Sequence, residues 1–442
     1  MMLRLLLASS SFVVAALVPG CSTPAGNSTA AGPSTLAEVP AVRLNYRYEA
    51  DVPPPTEPAK AQQNERNAAV QNHFDLNRPQ ESLDKTITSP NGDRIVAVYH
   101  RVNDLPSEYR LDMYSTDGNL LRKMTADLMA VHFPDTIRWS PDSANVAFVA
   151  MVRGVQEEPE VAGGPPPSLS NSNMNTGVDP EANAADANTN ANSDANAPAA
   201  EPTPVAPTGI LTFRTEQIYI SNADGDAVKP ITQNVGLIYF YYVWAPDSSG
   251  LAALAATQRE WQFLQFRAES SGEIFVPVGR PRMVETNGRE RRLDDALTAV
   301  HPVWSPDSAK IACAYDTQVR IYDANVTNPT QAALPLRNQL LISSQTFDRE
   351  QQLKLEGGNT APNVNANAAV NAANATPQTD TLPDEKILVS FNPIVSLAWT
   401  ANDLLYFQTA FIKRMKKEAD SVTSFPRWHR LVLTPQPIPQ TK

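Results

Sequence analysis

Short stretches of alternating apolar and polar residues recur along the chain, and each follows the same turn sequence. The clearest copies run Trp, Ser or Ala, Pro, Asp, Ser, and they begin at Trp139, Trp244 and Trp304. Five residues beyond each proline stands an aliphatic residue, and two beyond that another apolar one, which is the period of a β-strand. Proline pre-sets the backbone of a turn, and Asp accepts a hydrogen bond from the backbone two residues on. Each copy therefore predicts a strand, a tight turn and a second strand.

Two further copies fit the same frame less completely, one starting at Thr88 and a shorter one at Trp399. Downstream of several turns comes a second half-motif, in which Asp-Gly or Asn-Gly separates two alternating runs, and this is a hairpin signal. The half-motif spans residues 111–125, 218–232 and 283–293, and only its first strand is clear at 319–323. Two hairpins per repeat make a four-stranded sheet, and radial repetition of such sheets makes a β-propeller.

The repeat resembles the WD40-like propeller repeat of the TolB family, which has a Trp-Ser-Pro-Asp-Gly turn and a later Asp-Gly hairpin. The resemblance covers about 83–154, 209–344 and 386–436, with serine in place of the turn glycine at positions 143, 248 and 308. It implies an all-β fold, a propeller of four-stranded antiparallel blades over residues 83–437. Five repeats are recognisable, so we expect five or six blades, and residues 41–49 could add an outer strand to the last one.

The N-terminal residues resemble a targeting signal. A short basic start is followed by an apolar run that is too short to span a bilayer, and this is typical of a secretory signal over residues 1–20. The junction before Cys21 resembles the lipobox of bacterial lipoproteins, which implies that Cys21 becomes a lipidated N-terminus. Residues 21–82 would then be a largely flexible tether. The alternative is a plain signal peptide with an incidental cysteine.

Two low-complexity stretches are expected to be disordered inserts, at residues 155–208 and 357–380. Both are rich in Asn and Ala and contain no aromatic residue, so they bury too little apolar area to offset the entropy of ordering. The proline-rich segment 50–80 is a weaker case of the same kind.

Composition excludes several classes of function. The net charge of −11 disfavours binding to nucleic acid, since a negative chain repels phosphate backbones. Two cysteines, Cys21 and Cys313, rule out a disulfide framework and a cysteine-built zinc site. Cys313 lies in an apolar β-like run, which favours a buried structural thiol over a catalytic one. We expect no cofactor.

The recurring residues have structural and functional interpretations. Asp142, Asp247 and Asp307 recur in register, which favours turn capping over a metal site or acid–base chemistry. Four tryptophans, Trp139, Trp244, Trp304 and Trp399, favour packing between blades over a stacking platform for a ligand.

Three other residues are candidates for binding in the channel: His132, His301 and Tyr241, the last within an aromatic cluster at 239–242. The two histidines precede first strands of repeats, near where a channel would open. A metal site would need them to converge with a carboxylate, as some propeller lyases achieve. No Gly-x-Ser-x-Gly nucleophile motif occurs, and the propeller of prolyl-oligopeptidase-like enzymes, which is similar, is joined to a hydrolase domain that we do not expect here.

Two basic clusters, at 280–292 and 413–417, interrupt the acidic chain. Each favours a solvated hairpin edge, with contact to anionic lipid or an acidic partner as the alternative. The sequence as a whole predicts a non-catalytic, lipid-anchored β-propeller of the bacterial cell envelope that binds envelope proteins. The alternatives are a channel-sited metal-dependent lyase or hydrolase, and a propeller that senses carbohydrate or another ligand.

Overall fold

The computed structural model describes residues 35–56, 66–152, 215–357 and 382–436. The predicted signal, Cys21, the insert at 155–208 and all but Gly357 of the insert at 357–380 lie outside the described residues.

Five four-stranded antiparallel sheets are formed by the described residues, which confirms the predicted all-β class. The chain begins with β1 (Leu44–Glu49), and sheet 1 follows with β2 (Glu81–Thr88), β3 (Arg94–Arg101), β4 (Arg110–Ser115) and β5 (Leu120–Lys123). Sheet 2 contains β8 (Asn145–Val152), β9 (Gln217–Asn222) and β10 (Lys229–Pro230). Two short strands, β6 (Met129–Ala130) and β7 (Arg138–Trp139), pair with different parts of β8 and together form the first strand of this sheet. Sheet 3 contains β11 (Leu237–Trp244), β12 (Gly250–Thr257), β13 (Arg280–Glu285) and β14 (Glu290–Arg292).

Sheet 4 contains β15 (Val303–Trp304), β16 (Lys310–Tyr315), β17 (Gln318–Asp323) and β18 (Gln331–Pro335). Sheet 5 contains β19 (Ile394–Ala401), β20 (Leu404–Lys413) and β21 (Val422–Pro435), and β1 pairs with β21 as its fourth strand. The first strand of the chain thus completes the last sheet, which is the place that the sequence predicts for residues 41–49.

Within the described ranges, three α-helices interrupt the strands: α1 (Ala68–Asn77), α2 (Gln258–Ser271) and α3 (Arg337–Gly357). Short 3-10 turns occupy Leu36–Glu38, Ala41–Arg43, Pro134–Thr136, Glu385–Ile387 and Glu418–Asp420. No helix among the described residues is both long enough and apolar enough to cross a bilayer.

The core consists of apolar clusters between sheets that follow one another in the chain. One cluster joins sheets 1 and 2, the next joins 2 and 3, and two more join 3 to 4 and 4 to 5. β8 shows how a strand serves two neighbours, because Phe148 faces sheet 1 while Ala147 and Val149 face sheet 3. Burial on both faces explains why these strands are almost continuously apolar.

The outer face of sheet 1 packs against α1 instead of another sheet. Val70 and Phe74 of α1 are buried in a cluster with strands of sheet 1, and Asn67 caps the helix by accepting from the amides of Ala69 and Val70. Arg78 then forms a buried ion pair with Asp112 at 2.7 Å. Our expectation of disorder over 50–80 is therefore wrong for the part that carries α1.

A buried polar network lies inside sheet 5. The imidazole of His429 contacts the Tyr48 hydroxyl at 2.9 Å through Nδ1 and the Thr409 hydroxyl at 3.1 Å through Nε2. Nearby, Arg427 donates to both carboxylate oxygens of Asp51. Burial, reinforced by the charge of Arg427, lowers the pKa of His429 to about 3.

We expect this histidine to make the protein sensitive to acid. Between about pH 6.5 and 3 the unfolded chain binds a proton at residue 429 that the folded chain does not. Stability should therefore fall through this window, by on the order of 3 kcal/mol at about pH 4. Urea midpoints near neutral pH and near pH 4 will measure the loss, which should be smaller in His429→Gln. Equal losses in the two proteins would contradict the assignment.

Candidate functional site

The two ends of the stacked sheets differ. At one end, here called the turn end, each first strand joins the second through a tight turn, for example at residues 140–144 and 305–309. At the opposite end, here called the insertion end, lie α2, α3 and the tip of the β20–β21 hairpin. The repeated Trp, Asp and Ser residues are all at the turn end.

The repeated aspartates bind the backbone of their own turns. Oδ1 of Asp142, Asp247 and Asp307 each accepts from the amide two residues on, at 3.0 Å. Burial opposes ionisation of Asp142, but hydrogen bonds from Ser140, the Ala144 amide and others outweigh it and hold the pKa of Asp142 below its usual value.

Three of the repeated tryptophans each donate a hydrogen bond to the preceding sheet. The indole N–H of Trp304 donates to the carbonyl of Val243 at 3.2 Å. Trp244 and Trp139 do the same one and two sheets earlier, to the carbonyls of Arg138 and Ile87. Trp399 differs, because its N–H donates to Asn402 in its own turn, and its side chain is only half-buried.

The serines that replace the turn glycine link neighbouring turns. Ser143, Ser248 and Ser308 have φ values of 63°, 64° and 60°, the left-handed conformation that glycine would supply without strain. The Ser248 hydroxyl accepts from the Asp142 amide at 3.1 Å, and Ser308 and Ser143 accept likewise from Asp247 and Asn91 at 3.0 Å. The serine therefore gives a contact between sheets that glycine cannot.

Substitutions at Ser248 separate these two effects. Ser248→Ala keeps the left-handed strain but removes the hydrogen bond, so we expect a loss of about 1 kcal/mol in unfolding free energy. Ser248→Gly also removes the bond but relieves a strain of about 1 kcal/mol, so we expect almost no net change. Denaturant midpoints of both variants will test this, and an alanine variant as stable as the glycine variant would contradict it.

A cavity of about 550 Å³ lies against the first strands of sheets 3, 4 and 5 at the turn end. Its walls are uncharged and mostly aromatic or proline; among the lining residues are Tyr241, Trp244, Trp304, Trp399, Pro302 and Pro55. Pro55 comes from the N-terminal segment that follows β1, so the chain's own proline lies in this wall. The half-buried Trp399 leaves an indole available to whatever enters.

Tyr241 and His301 are brought together beside this cavity. Their rings stack with centroids 3.7 Å apart and planes within 9°. A β-bulge at residues 239–241 shifts the alternation of β11, so that Tyr239 and Tyr242 are buried against sheet 2 while Tyr241 lines the cavity. Desolvation by this packing, together with the charge of Arg138, lowers the pKa of His301.

His132 lies elsewhere, with two carboxylates. Its Nδ1 is 2.8 Å from Oε1 of Glu216, and its Nε2 is 3.7 Å from Oε1 of Glu108. His132 and His301 thus have separate partners instead of sharing a ligand. Within the ranges that the structure describes, no group of three or more His, Cys, Asp or Glu is arranged to hold a metal ion.

The remaining candidates are Cys313 and the two basic clusters. Cys313 is fully buried in β16, and burial raises the pKa of its thiol. The basic cluster at 280–292 is largely paired, since Arg280, Arg282 and Arg292 each form an ion pair with a nearby carboxylate. In the cluster at 413–417 only Lys413 is paired within the described residues, at 3.6 Å from Glu273.

Sequence reasoning missed several residues of the site. Pro55 and the hydroxyls of Ser143, Ser248 and Ser308 reach their partners only in the folded chain. The different setting of Trp399 did have a signal in the sequence, namely the shorter turn of the fifth repeat. In the structure its indole N–H donates to a carbonyl of that turn instead of to the preceding sheet.

Comparison with known proteins identifies no family, because no family model and no curated protein matches the chain. Among solved structures, an oligogalacturonate lyase in complex with manganese matches at 10% identity and a TM-score of 0.32, covering 79% of this chain and 66% of that one. A mitotic checkpoint complex matches at 8% identity and a TM-score of 0.30, over 78% and 67%. Prolyl oligopeptidase B from Galerina marginata, in the apo form, matches at 8% identity and 0.28, over 81% and 39%. The chain thus spans about two thirds of the first two and less than half of the third, and likenesses this remote carry no argument about activity.

Proposed function

We propose that the protein is a five-bladed β-propeller that works as a non-catalytic, protein-binding scaffold in the bacterial cell envelope. Support for the propeller comes from the order of the sheets: each packs on the next in the chain, and the first strand completes the last sheet. Strands that both ends of a chain contribute to one sheet tie the last repeat to the start of the chain, which suits sheets repeated radially.

The aromatic cavity at the turn end is the observation that carries the binding role. Walls of indole, phenol and proline rings without charges suit an extended, proline-containing segment, because such segments are stiff before binding and present flat apolar rings. Pro55 of the chain already lies against these walls, so a proline ring fits there. We propose that an envelope protein inserts such a segment beside Trp399 and Tyr241.

The envelope location rests on the proposed lipid anchor at Cys21. Replacement of this residue, Cys21→Ala, should leave a chain that no longer partitions with membranes or into the detergent phase. Unchanged partitioning would end the proposal of an acyl anchor.

Intrinsic fluorescence can test the cavity directly, with poly-L-proline as the probe. Titration should perturb tryptophan emission, since Trp244, Trp304 and Trp399 all line the cavity, and the change should be clearly smaller in Trp399→Leu. Trp428→Phe is the matched control, since Trp428 is also half-buried in sheet 5 but does not line the cavity. A response in Trp399→Leu as large as that of the parent chain, or no response to the probe, would count against this site.

A neutral oligosaccharide in place of poly-L-proline tests the ligand-sensing alternative, because sugar rings also stack on indoles. Saturation by the sugar with no response to the proline peptide would favour that function. Stoichiometric metal in the purified protein would instead favour the alternative of a metal-dependent lyase or hydrolase.

A further inference from the structure

The insertion end carries large apolar side chains that face solvent. On α2, Phe263 and Phe266 are 65% and 71% exposed, although phenylalanine is among the residues most often buried. On the β20–β21 hairpin, exposed apolar residues lie on both strands: Phe411, Ile412, Val422 and Phe425. We call these residues, together with 413–417, the insertion-end surface.

The two parts of this surface are held together by backbone hydrogen bonds. The amide of Ile274 donates to the carbonyl of Arg414 at 2.9 Å, and the amide of Lys416 donates to the carbonyl of Gly272 at 3.0 Å. Gly272 ends α2 in the left-handed conformation, with φ 69°, which turns the chain toward the hairpin. Trp261 fixes the other side of α2 in a cluster with Phe133, Phe240 and Phe275. The exposed phenylalanines are therefore held on a rigid frame.

The tip of the hairpin carries four cations followed by two exposed carboxylates, Glu418 and Asp420. Residues 413–417 contain four cations, Lys413, Arg414, Lys416 and Lys417, in a chain of net charge −11. Three of the four, all but Lys413, form no ion pair with any described residue. Their charges are available to an anionic partner, whereas the cluster at 280–292 is largely neutralised by its own carboxylates.

The shape of the surface distinguishes between possible partners. The pairing of β20 with β21 continues as far as Lys413 and Val422. The two flanking strands stop earlier: β19 pairs with β20 only as far as Thr409, and β1 pairs with β21 only as far as Arg430. The hairpin tip therefore projects beyond the other strands of its sheet as a two-stranded ribbon. A projecting ribbon with apolar side chains on both strands, next to a cationic tip, suits the plane of a bilayer better than the groove that a peptide requires.

We infer that the insertion-end surface is a membrane-contact site, which places Phe263, Phe266, Phe411 and Ile412 among lipid acyl chains and residues 413–417 against anionic headgroups. This contact is independent of the acyl group proposed at Cys21 and would act as the second signal that stable anchoring needs. The described chain enters at Thr35, near the turn end, because Leu44 pairs with Pro435 there. The residues from Cys21 to Thr35 can reach about 50 Å when extended, so their length allows either end to meet the membrane.

Vesicle sedimentation tests the inference, using a chain that lacks residues 1–20 and carries Cys21→Ala, so that every described residue is kept and no acyl group contributes. We expect binding to vesicles of mixed phosphatidylglycerol and phosphatidylcholine, and little binding to phosphatidylcholine alone. Replacing the four cations of 413–417 by Gln should weaken binding by more than about 100-fold, since each contributes about 1 kcal/mol near an anionic surface. Phe263→Ser with Phe266→Ser should weaken it by about 10-fold or more.

Matched controls use exposed residues elsewhere. Val42 is 57% exposed and Leu121 is 40% exposed, and both lie at the turn end, so Val42→Ser with Leu121→Ser removes exposed apolar area away from the insertion-end surface. Arg289→Gln with Lys229→Gln removes exposed cations. Both controls should bind vesicles like the parent chain, and melting temperatures should show that all variants fold.

Three results would overturn the inference. They are the absence of binding to phosphatidylglycerol vesicles, equal losses in the control variants, and loss of a cross-linked protein partner in the α2 variant while vesicle binding is unchanged. The last result would assign the surface to an acidic protein instead. The response of Trp399 to poly-L-proline is measured at the opposite end, so failure here and failure of the proposed cavity are distinguishable.

Discussion

Trp304→Ala should lower the denaturant midpoint of the protein sharply. The Trp304 side chain is buried between sheets 3 and 4, in a cluster with Met283 and Ile311, and its indole N–H binds the carbonyl of Val243. Replacement of a buried tryptophan by alanine typically costs about 3 to 5 kcal/mol. That is a large fraction of the roughly 5 to 15 kcal/mol by which a domain is stable.

Trp399→Ala is the matched comparison. Trp399 occupies the same position in its repeat, but it is half-buried and donates only within its own turn. We expect a clearly smaller loss of stability, together with a clearly smaller fluorescence response to poly-L-proline. If Trp304→Ala instead keeps full stability while a binding response is lost, the packing role of the repeated tryptophans is wrong.

Asp323→Ala should have the second large effect, because it releases the N-terminal segment from sheet 4. The buried carboxylate of Asp323 lies 2.8 Å from Nζ of Lys310 and accepts from the amides of Ala41 and Thr330. Burial opposes its ionisation, but these partners outweigh burial and lower the pKa of Asp323. Lys310 also donates to the carbonyl of Val39 at 2.7 Å, so both members of the pair bind the segment that leads into β1.

Removing one partner of a buried ion pair typically costs about 3 to 5 kcal/mol, because the other charge is left uncompensated. We therefore expect a large fall in the urea midpoint of Asp323→Ala, with faster amide exchange in β1. Asp224→Ala is the control, since the pair of Asp224 with Arg94 is largely exposed and such pairs contribute about 0 to 1 kcal/mol. Wild-type exchange in β1 of the Asp323 variant would show that this contact does not hold the strand.

The sequence predicted the sheets well because their signals are local. A turn of Pro and Asp followed by alternating apolar residues depends on neighbours a few positions away, and the five copies of this pattern all form strand–turn–strand units. The helices were missed because they lack such a local signal. In α1, only Val70 and Phe74 carry the apolar spacing, and they lie in a stretch of polar residues, so nothing local distinguishes them from a tether.

The candidate site was predicted only in part because it is assembled from distant segments. Tyr241 and His301 could be named from their place in the repeat, but their stacking depends on a bulge in β11 that the sequence does not signal. Pro55 reaches the cavity only because β1 joins sheet 5, about 380 residues away along the chain. The repeated serines are a similar case, since their function is a contact with the next sheet.

The most direct measurement of the binding role places a photo-crosslinking amino acid at Thr400, which lines the cavity, in cells that express the full chain. The same amino acid at Lys229, on an outer strand, is the control. The proposed function predicts a discrete protein adduct from position 400, absent from position 229 and weakened by Trp399→Leu. No adduct at position 400, or the same adducts from both positions, would contradict the proposal that this cavity receives a protein segment.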